Sequence, residues 1–393
     1  MEPLYSASEL AQVHAYHAPR YIWAYVAPAS YLLLLLAFMA WAAHPLYALC
    51  QRAGQRLRSR ILERVWGGAD WSGALLYALT FFILFELTYL PFTLYFGFFQ
   101  ERAHGLWTAS FSRFAWEHTK TLVLQSLGQA CLVFGVFGLA RRTPRWWLVL
   151  GVPAALLLMM ASVLDPYRAR LHVGQHPLEP GPLRGQLERV LAQAKVPFRD
   201  IHVEKSSELV SRPEAYFAGQ GATRVIILND VLLGHLTPAE VEAVVAHESG
   251  HVHQPRWLGR IGAGLGLLLV LYCVKRLLEF AAQRAWLGMT SPADARALPL
   301  LLLMQFVVGL AMEPVSSFLS RKREAEADRF ALALTQDAQT YEAMLRKVAR
   351  LNKADPSPPL WIRWLADHPP MGERLQLAHN WTSEAVRPPT TLP

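Results

Sequence analysis

Between Tyr21 and Gln51 the chain carries no Asp, Glu, Lys or Arg, and five consecutive leucines, Leu32 to Leu36, sit near the middle of that run. A helix rises about 1.5 Å per residue, so about 20 apolar residues cross the roughly 30 Å hydrocarbon core of a bilayer. The run starts too late and is too long for a cleaved leader, and no clear small-residue cleavage site closes it. Three more such runs follow: Trp71 to about Phe96, interrupted only by Glu86, then Thr121 to Ala140 and Trp146 to Leu164, both uncharged. Beyond a long polar interval, Ile261 to Val274 is short and needs Arg260 and Lys275 to snorkel. Ala297 to Ser320 carries only Glu313, ahead of a kinking Pro314. Six spans are predicted, four in residues 1–164 and two in residues 257–320.

Composition agrees. Apolar residues make up 53% and charged residues 17%, against about 25% charged in a soluble domain. That excludes intrinsic disorder. Three cysteines form no disulfide framework in 393 residues; Cys50, Cys131 and Cys273 lie in or beside apolar runs, where packing is the expected role. A net charge of +8 would ordinarily raise nucleic acid as a partner. Here the arginines gather at the ends of apolar runs, as in membrane proteins, so the expected partner is the lipid bilayer and not nucleic acid. Trp146, Trp147 and Trp257 read as interfacial anchors, and His104 and His118 as solvated loop residues. Glu86 and Glu313 lie within spans, where a carboxylate has either a functional or a bonded structural role.

Two polar blocks remain. In residues 165–256, Leu183, Leu187, Val190, Leu191 and Ala194 predict an amphipathic helix over Pro182 to Lys195. Short strands are predicted at Ile201–Glu204, Ala215–Ala218 and Arg224–Leu228. Thr237-Pro238-Ala239-Glu240 is a capping box with proline at the first helical position. The second block is 321–393, with a frayed tail expected from Arg387.

The capped helix carries His247-Glu248-Ser249-Gly250-His251. Residues four apart share a helix face, so both imidazoles can reach one metal ion. Glu248, one step on, lies beside that ion, where it can take a proton from water and pass it to a leaving amine. Imidazole and carboxylate donors with one open position favour zinc, one ion per chain. Gly250 in mid-helix costs about 1 kcal/mol and is tolerated where close approach is needed. Candidates for a third ligand are His253, Glu313, Glu324, Glu326, Asp328 and His368. His253 points to another face. On a helix, Glu324, Ala327, Asp328 and Ala331 form one stripe of carboxylates and small side chains, which lets a second helix press close. Glu326 and Arg329 project away. Glu324 is the expected ligand, with Asp328 accepting the distal N–H of a ligand histidine.

These residues resemble the membrane zinc endopeptidases of the type I CAAX prenyl protease family, with the HtpX-like proteases as more distant relatives. The resemblance rests on His247-Glu248-x-x-His251, on Ser320-Arg321 leading to Glu324-x-x-x-Asp328, and on His368-Pro369-Pro370 with Glu373-Arg374-Leu375. Leu90 to Tyr95, Glu101-Arg102 and His104-Gly105 look like the family's N-terminal membrane region, so the match covers nearly the whole chain. It implies a mainly α, multi-pass helical membrane protein with a gluzincin-like catalytic domain containing a small β-sheet. It further implies zinc held by His247, His251 and Glu324, Glu248 as general base, His368 near the oxyanion and Arg374 in support. The chain departs from the family at Ser249, usually apolar, and at Glu214, usually Asn ahead of a substrate-aligning strand. The family's closest members also have a seventh span.

The implied reaction is hydrolysis of peptide bonds in prenylated or other membrane-associated protein substrates. A channel, transporter or scaffold with a vestigial metal site is the rival reading, and it has no need of Glu248. The Ala-, Leu- and Arg-rich character hints at a bacterial cell membrane. For orientation two arguments disagree. Arg52, Arg56, Arg58, Arg60, Arg64, Arg141, Arg142 and Arg145 lie in loops on one side, against Arg102, Arg113 and Lys120 on the other. Eight against three puts the block from Asp165 outside the cytoplasm, whereas the resemblance puts the site inside it.

Overall fold

The computed structural model describes residues 3–385 apart from 56, 58, 59, 69, 170–173 and 256. The tail from Arg387 and two loop arginines, Arg56 and Arg58, lie outside the described residues. Helix α1 (Ala7–Ala37) continues through a wide turn at Phe38–Ala42 into α2 (Ala43–Gly54). It therefore starts well before the apolar run that announces it. A reciprocal cap explains the start: Glu9 N donates to Ser6 Oγ and Ser6 N to Glu9 Oε2. A short α3 (Arg60–Trp66) precedes α4 (Trp71–Leu94), which passes through Tyr95–Phe99 into α5 (Gln100–Ala103). Then come α6 (Phe111–Ala140) and α7 (Trp146–Ala169).

The first polar block supplies β1 (Gln175–Pro177), α8 (Pro182–Gln193), β2 (Asp200–Glu204), β3 (Ala215–Ala218), β4 (Val225–Asn229), α9 (Asp230–His235) and α10 (Pro238–His253). Helix α11 (Trp257–Gln283) and α12 (Leu298–Thr335) follow, then α13 (Ala338–Asn352), α14 (Leu360–Arg363) and α15 (Met371–Ala385). Among the described residues five helical stretches are long and apolar enough to cross a membrane, and the apolar part of α7 adds a shorter sixth. The two weak candidate spans belong to long helices. Ile261–Val274 is the middle of α11, and α12 runs as one helix through Pro314 and onward into the second polar block.

The sheet has the order β1-β2-β4-β3, with β2 and β4 parallel and the outer pairs antiparallel. Strand β1 was not anticipated, since three residues carry no alternation to read. The sheet packs on α8, α10, α13 and α15 around Leu187, Ile201, Ile226, Val245, Leu345 and Ala378. Leu4, Tyr5 and Val13 from the chain's start join the same core.

The membrane helices form a separate core around Trp66, Tyr77, Phe81, Phe137 and Leu298. Trp146 is buried in it, so it packs rather than anchors; Trp257 is exposed. Cys131 and Cys273 are exposed and only Cys50 is buried, which corrects the packing role expected of all three. His118 lies on α6, stacked on Phe114, and His104 bonds Gln100 O at 2.9 Å, so neither is a free loop residue.

The connections meet on two faces. On one, Arg141 grips Asp70 with both guanidinium nitrogens at 2.7 Å, and its Nε donates to Ala293 O at 3.3 Å. On the other, Trp107 forms a bridge to Val210, and Tyr5 OH donates to Ala349 O at 2.8 Å. The chain start, the α5–α6 connection and both polar blocks thus share one face.

Candidate active site

Thr237 and Glu240 cap α10 reciprocally, and Lys347 on α13 holds the same Glu240 carboxylate at 2.7 Å. The start of the helix is thereby fixed, and its later turns lie against α12. Gly250 makes that approach possible: a Cβ built there would stand 2.8 Å from Ala327 Cα. The stripe read from sequence is the contact face, with Glu324, Ala327, Asp328 and Ala331 all buried, while Glu326 and Arg329 lie off it and are less buried.

Across this seam Glu324 meets both histidines. Its Oε2 lies 3.4 Å from His247 Nε2 and its Oε1 lies 3.2 Å from His251 Nε2. The donor atoms of His247, Glu248 and His251 lie within 4.8 Å of one another. Of the two carboxylates, Glu324 is the one that faces both Nε2 atoms.

The other ring nitrogens are engaged. His247 Nδ1 lies 2.9 Å from Asp328 Oδ1 and 3.2 Å from Tyr341 OH. Tyr341 OH donates to Asp328 Oδ1 at 2.7 Å, and Arg374 donates to both Asp328 oxygens at 2.6 and 2.9 Å. His251 Nδ1 lies 3.3 Å from Gln254 Oε1, and Gln254 Nε2 donates to Arg323 O. His368 Nδ1 lies 3.1 Å from Glu324 Oε2. His253 turns away and bonds Ala194 O at 2.7 Å. Tyr341 and Gln254 escape a sequence reading, for Tyr341 sits at core spacing on α13 and Gln254 follows the motif without belonging to it.

Charge follows from these contacts. Burial disfavours protonated His247, yet the Asp328 and Glu324 carboxylates more than offset it and push the imidazole up to about 9. Burial raises the Glu248 carboxyl, with both imidazoles pulling the other way. The Glu324 carboxylate raises His368.

His247, Glu248, His251, Glu324, His368 and Arg374 line a cleft of about 600 Å3, whose wall continues through apolar Leu232, Val244, Met344, Leu345 and Val348 and polar His17, Tyr21, Asn352 and Asp355. Glu214 and Ala215, at the start of edge strand β3, form one side. Ser249 is fully buried behind the site and its Oγ donates to Val245 O at 2.7 Å, which satisfies the hydroxyl. Glu86 and Glu313 do not line the cleft.

Two family descriptions match the chain in tandem: peptidase family M48 over residues 177–382, and the CAAX prenyl protease N-terminal region with five membrane helices over residues 1–168. The chain belongs to peptidase family M48. Within residues 1–168 this M48 protein has four long helical stretches, α1–α2, α4–α5, α6 and α7, and the short α3 among the described residues. The Bacillus subtilis metalloprotease YhfN is 28% identical over 64% of the chain, and that match spans 60% of YhfN. An Arabidopsis thaliana CAAX prenyl protease 1 homolog is 25% identical over 82% of the chain and 77% of its own length. The crystal structure of S. mikatae Ste24p superposes with a TM-score of 0.77 at 20% identity, over 96% of this chain and 90% of that one. The fold of that structure is therefore shared along nearly the whole chain, membrane region included.

Proposed function

We propose that this protein is an integral membrane zinc metalloendopeptidase acting on peptide bonds of membrane-associated or prenylated protein substrates. The observation that carries the reading is the convergence of Nε2 of His247 and Nε2 of His251 on Glu324, with Glu248 alongside in the cleft. The donor set fits zinc. Each imidazole has its Nδ1 occupied and its Nε2 turned to the shared carboxylate, and two imidazoles with one carboxylate suit that ion. When bound, zinc supplies Lewis-acid polarisation of the scissile carbonyl and makes a water acidic enough to attack at neutral pH.

The chain's own groups do the rest. Glu248 accepts the proton of the attacking water on its carboxylate and returns it to the leaving amine; its raised pKa brings it nearer the working pH of a base that must also act as acid. Asp328 fixes the tautomer of His247, and Arg374 and Tyr341 fix Asp328. His368, favoured in its protonated form, is suited to donate to the developing oxyanion. Among the described residues strand β3 bonds β4 on one side only, which leaves its other edge to pair with an extended peptide.

The CAAX relatives support prenylated substrates. The Ala-, Leu- and Arg-rich composition supports a bacterial cell membrane and the trimming of membrane proteins there. The test uses purified full-length protein. Glu248→Gln should keep about one zinc per chain and lose cleavage by at least about a thousandfold. His251→Ala and Glu324→Ala should lose metal and cleavage together. Near-normal turnover by Glu248→Gln, or no metal in the parent protein, sinks the reading.

A further inference from the structure

The two sides of the cleft are held by the same stretch of α1. Glu101 lies at the end of the α4–α5 helix and takes hydrogen bonds from Tyr16 OH at 2.6 Å, from Arg20 and from Arg212 Nη2 at 2.7 Å. Arg212 also donates to Tyr16 OH at 2.9 Å, and its carbonyl accepts from Asn229 Nδ2 at 2.7 Å. Two residues later the chain enters the cleft side formed by Glu214 and Ala215. One face of α1 thus grips the approach to edge strand β3.

The neighbouring face of α1 grips the opposite side. His17, Tyr21 and Tyr25 are spaced four apart and line up on the helix. His17 Nε2 bonds Lys353 O at 2.8 Å, Tyr21 OH donates to Asp355 Oδ2 at 2.7 Å, and Tyr25 OH donates to Trp361 O. The rings of His17 and Tyr21 stack at 5.3 Å, and Trp361 meets both tyrosines edgewise or tilted. The connection so fastened, from Lys353 to Trp361, supplies Ala354, Asp355 and Pro358 to the cleft, and His17 and Tyr21 line it themselves.

We propose that this part of α1 is a clamp that sets the separation of the two cleft sides, with Arg212 and Tyr21 as positioning residues for substrate. The effect on substrate rests on reading the cleft as the peptide site. Neither residue touches the metal ligands. Those are held separately by the α10–α12 seam and by Asp328, so loosening the clamp weakens peptide binding and leaves chemistry and metal in place. Each clamp bond is worth about a fivefold change in binding.

The experiment is made on the full chain in nanodiscs, with Cys50, Cys131 and Cys273 replaced by Ala and spin labels at Ala222 and Ser357. Tyr21→Phe and Arg212→Gln should each broaden the distance distribution between the labels. Each should raise KM about fivefold, keep kcat within about twofold and leave bound metal unchanged. Arg212→Lys, which keeps a cation on Glu101, should restore much of the KM. Tyr21→Phe combined with Asp355→Ala should bind no worse than the weaker-binding of the two single variants, because both remove the same Tyr21–Asp355 bond. Distances as narrow as the parent's in both variants overturn the clamp. A fall in kcat or metal content as large as the rise in KM, or multiplying effects in the double variant, does so too. Broadened distances in a chain that cleaves nothing leave the clamp standing and count against the protease reading alone.

Discussion

Asp328 is 1% exposed and yet carries a charge, answered by Arg374 on both oxygens and by His247 and Tyr341 on one. A buried carboxylate is stable only with such partners, and their geometry leaves His247 one orientation. Asp328→Asn keeps the shape and removes the charge, so His247 loses the anionic acceptor that raises its basicity and keeps at most a neutral amide oxygen. Zinc affinity, read by chelator competition, should fall about 10–100-fold; unchanged affinity would sink the assignment. Asp328 was legible in the sequence because it lies one helical turn beyond Glu324, on the same stripe. Tyr341 was not: one aromatic at core spacing on an amphipathic helix looks like any other, and only the fold brings its hydroxyl to Asp328. The same limit applies to Arg20 and Arg212, far apart in sequence and joined through Glu101.

Between elements, the contact of α10 with α12 decides whether the metal donors meet. Gly250→Ala improves helix propensity by about 1 kcal/mol. Against that, the new Cβ meets backbone at 2.8 Å, and backbone cannot rotate aside. Overpacking of this kind costs about 1–3 kcal/mol, so the clash should win. The variant should melt lower and bind zinc more weakly, since Glu324 is carried on the helix that is pushed back. A higher melting temperature with full metal binding would show that the seam is slack. The uncharged runs of α6 and α7 could be read directly, because about 20 consecutive residues without a charge are too apolar for a helix with one face in water. The bounds of α1 and α11 could not. Hydropathy marks where a helix is in contact with lipid, whereas α1 continues as helix over the protein core through Leu10 and Val13, and α11 continues past Arg260 and Lys275.

For the whole molecule the short connections on the two faces differ in basic residues. Arg52, Arg60, Arg64, Arg141, Arg142 and Arg145 lie on the face away from the cleft, and the α11–α12 connection adds Arg284 and Arg296. Counted over the short loops, against Arg102, Arg113 and Lys120 on the cleft side, that asymmetry predicts that the face away from the cleft is cytoplasmic. In cells carrying single cysteines in a cysteine-free background, an impermeant reagent should label Glu179→Cys and spare Ala53→Cys. The reverse pattern would put the cleft in the cytoplasm. The core beside the cleft is assembled from Leu4 to Val13, from residues of the first polar block and from Ala331 onward. Glu324 stands on the helix that makes the last crossing. A ribosome thus delivers His247 and His251 long before it delivers their partner carboxylate, and that carboxylate arrives only with the final passage through the bilayer. With Glu324 as the proposed third ligand, a growing chain has no complete site to turn on itself or on the machinery inserting it until that crossing is made.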